Sequence, residues 1–180
     1  MKTFEFSIVA SGLDPEAEGF ADRFYDAGCS DATIFFQKGH IILDFSRDAG
    51  GIDSAICSAI ECVESAGAHV DRVEPDPLVS LSDIAARTGL SRAAITQYAK
   101  GQRADDFPAP VARVTSETSL YDWSQVATWL YRKEKISLEQ AIQATAVRVV
   151  NEAISTGEAK LRETLHRRLK AYEAELARAA

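Results

Sequence analysis

The sequence predicts an α+β protein of three successive segments, and three observations carry that expectation. Apolar residues alternate with period two near the N-terminus and recur with a helical period elsewhere. Charge is unevenly divided: residues 1–77 hold 5 basic and 15 acidic side chains, a balance of -10, whereas residues 78–133 stand at +2 and residues 134–180 at +1. Two prolines in "EPDPLVSLSD" mark the boundary between the acidic strand-bearing block and a helix-rich remainder. At 180 residues and 46% hydrophobic, the chain can bury one ordinary core or two small ones and is too apolar to be disordered.

In the first block, "FEFSIVA" sets Phe4, Phe6, Ile8 and Ala10 against Glu5, Ser7 and Val9, the pattern of a strand with one buried face. Asp14 and Pro15 then predict the cap and first turn of a helix bearing Ala17, Phe20, Ala21 and Phe24, stopped by Gly28. "ATIFFQKGHIILDF" predicts two strands joined at Lys38 and Gly39. After Gly50 and Gly51, Ile52, Ile56, Ala59, Ile60 and Val63 predict a second helix ending near Gly67, and "HVDRVEP" closes the block as a short strand. The order β-α-β-β-α-β over residues 1–76 is the ferredoxin-like arrangement. Glu5, Val9, Phe35, Ile42 and Asp44 fall on the face that the helices leave open. That face calls for a partner: a second copy, another protein, a small effector or the adjacent domain. RNA is a poor candidate, because the block is strongly acidic and lacks the basic and aromatic pattern of RNA-binding sheets.

The segment "LSDIAARTGLSRAAITQYAKGQ" has a different logic. Ser80 or Ser82 can cap a first helix whose Leu81, Ile84 and Ala85 turn inward. Gly89 permits the left-handed backbone of a tight turn, Leu90 pins that turn, and Ser91 caps a second helix that buries Ala94, Ile95, Tyr98 and Ala99. Arg92, Ala93, Thr96, Gln97 and Lys100 point the other way, and no Asp or Glu occurs from Ser91 to Ala104. In so acidic a chain this face suits DNA: Arg can fork onto guanine, Gln onto adenine, and Thr onto a base or a thymine methyl. Lys100 and Arg103 are placed to hold phosphate. Downstream, "FPAPVARVTSETSLYDWSQVATWL" predicts a strand over 111–114, a turn at Ser116 and Glu117, and a strand near Leu120, forming a small wing. Asp122 caps a helix whose Trp123, Val126, Trp129 and Leu130 form a core stripe.

The small Ala85, the turn Gly89, the buried Ile95, then "FPAPV", a wing and "W..V..WL" resemble the winged helix-turn-helix domains of bacterial MerR and excisionase (AlpA-like) regulators over residues 78–130. The resemblance implies DNA binding through the helix from Ser91, with wing contacts between Arg113 and Ser119. The wing carries Glu117 and a single Arg. The expected DNA-contacting set is therefore Ser91, Arg92, Ala93, Thr96, Gln97, Lys100, Arg103 and Arg113, in a domain spanning 78–133.

Residues 136–180 predict two helices interrupted at Gly157, the second with a stripe of Leu161, Leu165, Leu169, Tyr172 and Leu176. Such a stripe either pairs two chains or folds back on its own, and paired half-sites on DNA favour a homodimer. Neither a nucleophile with its base nor a phosphate loop appears in the sequence, so an enzyme, a cofactor and a metal are not expected. Cys29, Cys57 and Cys62 read as reduced thiols of no special chemistry. With neither a leader pattern nor a long apolar run, the chain reads as cytoplasmic. The function expected is a sequence-specific transcriptional regulator with an acidic sensor or partner-binding domain. The alternatives are an antitoxin-like interaction protein that regulates its own gene and an excisionase-like architectural factor.

Overall fold

A computed structural model describes residues 1–179. In chain order the elements are β1 (Lys2–Ser11), α1 (Phe20–Asp26), β2 (Ala32–Gln37), β3 (His40–Ala49), α2 (Ile52–Ser65), β4 (His69–Glu74), β5 (Leu78–Val79), α3 (Leu81–Thr88), α4 (Arg92–Ala99), β6 (Tyr121–Asp122), α5 (Trp123–Arg132), α6 (Leu138–Thr156) and α7 (Leu161–Ala179). They divide into two compact units. One comprises residues 1–75 and 149–171, the other residues 76–148 and the chain from Tyr172 onward. Among the described residues no helix is long and apolar enough to cross a membrane.

In the first unit the four long strands form one antiparallel sheet in the order β2-β3-β1-β4. Phe6 lies opposite Phe45, Ile8 opposite Leu43 and Ala10 opposite Ile41, all buried, on the face against which α2 packs Ala55, Ile56, Ala59 and Val63. The other face carries Glu5 opposite Ser46, Ser7 opposite Asp44, and Ile42 between Val9 and Phe35. The five residues assigned to that face from the sequence share it. Val9 is nevertheless buried, because it sits on a central strand flanked by Ile42 and Arg72 on its two sides. At the β2–β3 turn Lys38 and Gly39 both have positive φ, 53° and 83°, as a two-residue hairpin requires.

The first helix is shorter than its sequence pattern. It begins at Phe20, not at Asp14, because Gly19 stands in the left-handed region (φ 71°) and a helix cannot propagate through that conformation. Residues 14–18 form turns instead, with the Glu16 amide donating to the Asp14 carboxylate (3.0 Å) and the Ala17 amide to the Asp14 carbonyl (3.2 Å).

A buried guanidinium ties this unit together. Arg47, on the helix-covered side of β3, donates from Nε and Nη2 to both Asp31 carboxylate oxygens (2.7 Å each), from Nη2 to the Gly28 carbonyl (3.0 Å) and from Nη1 to Ser58 on α2 (3.2 Å). The Arg47 guanidinium holds the Asp31 carboxyl below the usual carboxylate range. Cys62 lies 3.6 Å from Nη2 and faces Cys29. The neighbouring Cys29 thiol and then Arg47 draw the Cys62 thiol below its ordinary value, against the effect of burial. The three cysteines are free and buried, but two of them share a charged environment that their distance in sequence concealed.

The C-terminal helices contribute to both units. The Asn151 side chain, on α6, donates to the Val73 carbonyl and accepts from the Val73 amide (2.8 Å each), so it occupies the outer edge of β4 as a neighbouring strand would. From α7, Arg162 pairs with Glu61 (2.6 Å) and His166 Nδ1 lies 2.7 Å from Asp53, while Leu165 and Leu169 are buried. In the second unit Leu176 is buried, Tyr172 shares a hydrogen bond with Thr128 (2.6 Å) and Glu175 pairs with Arg132 (3.1 Å). Leu165, Leu169 and Leu176 of the stripe that could have paired two chains are thus covered by the chain itself, and Leu161 is half-buried.

Replacing Arg47 by Met should cost about 3 kcal/mol at neutral pH, because it strands a partly buried carboxylate. A carboxyl with a depressed folded pKa stabilises the fold fully above its unfolded value, about 3.9, and loses that contribution as pH falls through the folded value. Urea unfolding of wild type and Arg47→Met should therefore show a gap that narrows below about pH 4.

Candidate nucleic-acid interface

In the second unit, α3 and α4 are held on a core of Val79, Ile84, Ile95, Tyr121, Trp123, Val126, Ala127, Trp129 and Leu130. The start of α3 is fixed reciprocally: the Asp83 amide donates to Ser80 Oγ (3.2 Å), and the Ser80 amide and hydroxyl donate to the Asp83 carboxylate (2.8 and 2.7 Å). These bonds hold the Asp83 carboxyl below its ordinary range. Gly89 ends α3 at φ 70°, its amide bonded to the Ala85 carbonyl (3.0 Å). Two residues later Ser91 caps α4 by accepting from the Ala94 amide (3.1 Å).

This turn buries Ile95 completely and leaves Ser91, Arg92, Ala93 and Lys100 exposed, with Thr96 and Gln97 half-buried on the same helix. Thr96 Oγ1 donates to the Arg92 carbonyl (2.8 Å), so its oxygen remains able only to accept. Gly101 (φ 67°) turns the chain away after Lys100, and Arg103 follows with its guanidinium 5.9 Å from the centre of the Tyr98 ring. One member of this surface was not singled out from sequence as anything but a possible cap. Ser82, on α3, receives a hydrogen bond from Arg92 Nη1 across the turn. Its ten-residue offset from Arg92 was the available signal, once both helices were placed.

Compared with models of protein families, with curated proteins and with solved structures, the chain finds no match in any of the three.

The expected wing is reduced. Instead of two strands around a turn, residues 111–120 form a loop closed by one bridge, Ala112 with Leu120. The Val111 and Ala112 amides donate to the Leu120 carbonyl (2.8 and 3.2 Å), and the Leu120 amide to the Ala112 carbonyl (2.9 Å). Extension stops there because Arg113 is left-handed (φ 50°) and its carbonyl is engaged by the Ser116 amide (3.0 Å) and the Ser119 hydroxyl (3.3 Å). The extended pairing beside it lies elsewhere, between β5 and β6, where Leu78 faces Asp122 and Val79 faces Tyr121. Arg113 is exposed on this loop.

The acids nearest in sequence to this surface are partly accounted for. Asp106 pairs with Lys133 (3.1 Å). Among the described residues no group of three His, Cys, Asp or Glu side chains is arranged to hold a metal ion.

Gly89→Ala should destabilise the protein by about 1–2 kcal/mol in urea unfolding, since an L-residue must adopt the left-handed conformation there. Its Cβ would meet nothing within 4 Å, so the loss measures backbone strain alone.

Proposed function

We propose that the chain is a sequence-specific DNA-binding regulator of transcription and not an enzyme, acting in the cytoplasm, in which residues 78–133 form a winged helix-turn-helix and α4 reads the major groove. The observation that carries this reading is the acid-free face of α4: Arg92, Ala93 and Lys100 stand exposed on a capped helix presented by a glycine turn, in a chain of net charge -7. Arg92 and Gln97 supply forked donors and acceptors for base edges, and Thr96 an acceptor. Ser91, Lys100 and Arg103 are suited to phosphate, and Arg113 offers one further cation from the loop that stands in for a wing. Two chains would present two such helices to paired half-sites of double-stranded DNA. No cofactor is needed.

Residues 1–76 then serve as a ferredoxin-like sensor or partner-binding domain, a reading supported by the β-α-β-β-α-β order and the β2-β3-β1-β4 sheet. A second reading, an interaction protein whose acidic domain neutralises a basic partner, is favoured by one specific feature. Glu5, Asp44 and Asp48 are exposed along the sheet face that no helix of this unit covers.

Fluorescence anisotropy with DNA from upstream of the protein's own gene, against scrambled DNA, tests the first reading. Wild type should bind the former tightly and more weakly as salt rises. The double substitution Arg92→Ala with Gln97→Ala should remove the preference, a loss of about 10²-fold or more from two base contacts, with an unchanged circular dichroism spectrum. Equal affinity for both DNAs in the wild type would end this reading.

A further inference from the structure

The sheet of the first unit has two edges, and they are treated differently. On β4 the outward amide and carbonyl of Val73 are both taken by Asn151. Along β2 the only strand neighbour is β3, and four of its six residues, including Phe35 at 38% and Phe36 at 50%, are exposed. "ATIFFQ" contains no charge and no proline, the devices that ordinarily keep an open strand edge from pairing.

The hydrogen-bond phase of that edge follows from the hairpin. Residues flanking a two-residue turn form a hydrogen-bonded pair, so Gln37, Phe35 and Thr33 spend their backbone groups on β3. The Ser46 amide bonded to the Asp31 carbonyl (3.1 Å) continues the same phase. Ala32, Ile34 and Phe36 therefore point outward. The Ala32 amide is already bonded to the Cys29 carbonyl (3.1 Å), so the outward edge consists of the Ala32 carbonyl and both backbone groups of Ile34 and Phe36.

From this we infer that β2 is the dimer interface: two copies of the chain pair antiparallel through β2, with the two-fold axis at Phe35. In that register Ile34 of each copy faces Phe36 of the other, and the amides and carbonyls of both residues in each chain are paired. The two Phe35 side chains meet at a non-hydrogen-bonded pair, where side chains approach most closely. No like charges are brought together, and Lys38 of one copy comes beside the Asp31 end of the other strand. Because Asn151 takes the outward groups of Val73 on the opposite edge, the product is a pair carrying an eight-stranded sheet whose outer edges are interrupted at Val73, which works against continued strand addition. The inference supplies a surface for the pairing proposed above, yet it rests on the sheet edge alone and does not need DNA.

Sedimentation of the full chain at micromolar concentration should give twice the mass of one chain. Phe35→Glu should sediment as a monomer with an unchanged circular dichroism spectrum, and mixing it with Phe35→Lys should restore the dimer, because opposite charges then meet at the two-fold. Phe35→Cys should form an interchain disulfide with oxidised glutathione, whereas Thr33→Cys should not, its counterpart lying about four residues away along the partner strand, roughly 13 Å. A monomeric wild type would overturn the inference and leave the edge for a strand from another protein. So would a Phe35→Glu chain that stays dimeric, or crosslinking equal at positions 33 and 35. DNA affinity is a separate readout: Phe35→Glu should still bind a single half-site, so failure here and failure of the DNA-binding reading are told apart.

Discussion

The geometry of the candidate interface depends on the aromatic packing around Trp129. Tyr98 of α4 meets Trp129 of α5 edge-on at 5.0 Å, Phe107 meets the same indole at 5.0 Å, and Phe107 in turn contacts Tyr121 at 5.7 Å. α4 is only eight residues long, too short to be helical by itself in water. Its conformation comes from burying Ile95 and Tyr98 against this cluster, and from the serine cap before it. The outward residues gain their fixed directions at the same time, because a helix clamped on one face cannot rotate to offer another. The loop after α4 is held by the same ring system through Phe107, so the end of the helix and the position of Arg103 over Tyr98 are set by one set of contacts.

In the first unit a polar interaction has the corresponding place. Arg47 is buried within an apolar sheet face, where an unpaired guanidinium would be costly, and it is tolerated because its donors meet a carboxylate, a carbonyl and a hydroxyl at once. The groups it gathers come from the loop before β2, from β3 and from α2. It therefore fixes where β2 starts and how α2 lies on the sheet, which an apolar side chain of equal size could not specify. Asn151 acts similarly on a smaller scale. By satisfying both backbone groups of Val73 it turns an open strand edge into a closed one, a task that a second strand would otherwise perform.

Much of this was legible in the sequence where a local signal was strong. Period-two alternation located β1, the Lys38–Gly39 pair located the hairpin, and Gly89 with the Ser91 cap located the α3–α4 turn, because each of these signals acts on residues close by in sequence. The misses have physical causes. Asp14 and Pro15 looked like a helix start, but the left-handed Gly19 interposed. The 111–120 segment had a hairpin's polarity, yet Arg113 left the extended region one residue after the bridge. Arg47 falls in phase with the buried Leu43 and Phe45 of β3, yet its charge argued for solvent, because the ligands that permit its burial, Asp31 and Ser58, are 16 and 11 residues away. Contacts between distant residues, such as Asn151 with Val73 and Cys62 with Cys29, leave no periodic trace.

The uneven charge acquires a consequence if α4 reads DNA. Affinity that comes from phosphate contacts is blind to sequence, and every Lys or Arg added to the surface raises it for all DNA alike. A chain that carries both a block of -10 and a helix of only a few cations works in the opposite direction. The acid lowers attraction to arbitrary duplex over the range of a Debye length, about 8 Å in physiological salt, and more weakly beyond it. Contacts to base edges are short-ranged and directional, and so are least affected. The net result favours discrimination over raw affinity, and it places the energetic weight on Arg92 and Gln97 rather than on the wing, whose single arginine and neighbouring Glu117 contribute little charge. The binding strength lost to acid would then be recovered by engaging two half-sites at once, which would give the proposed self-association a thermodynamic reason: linking two readers compounds the discrimination that each supplies at its base edges.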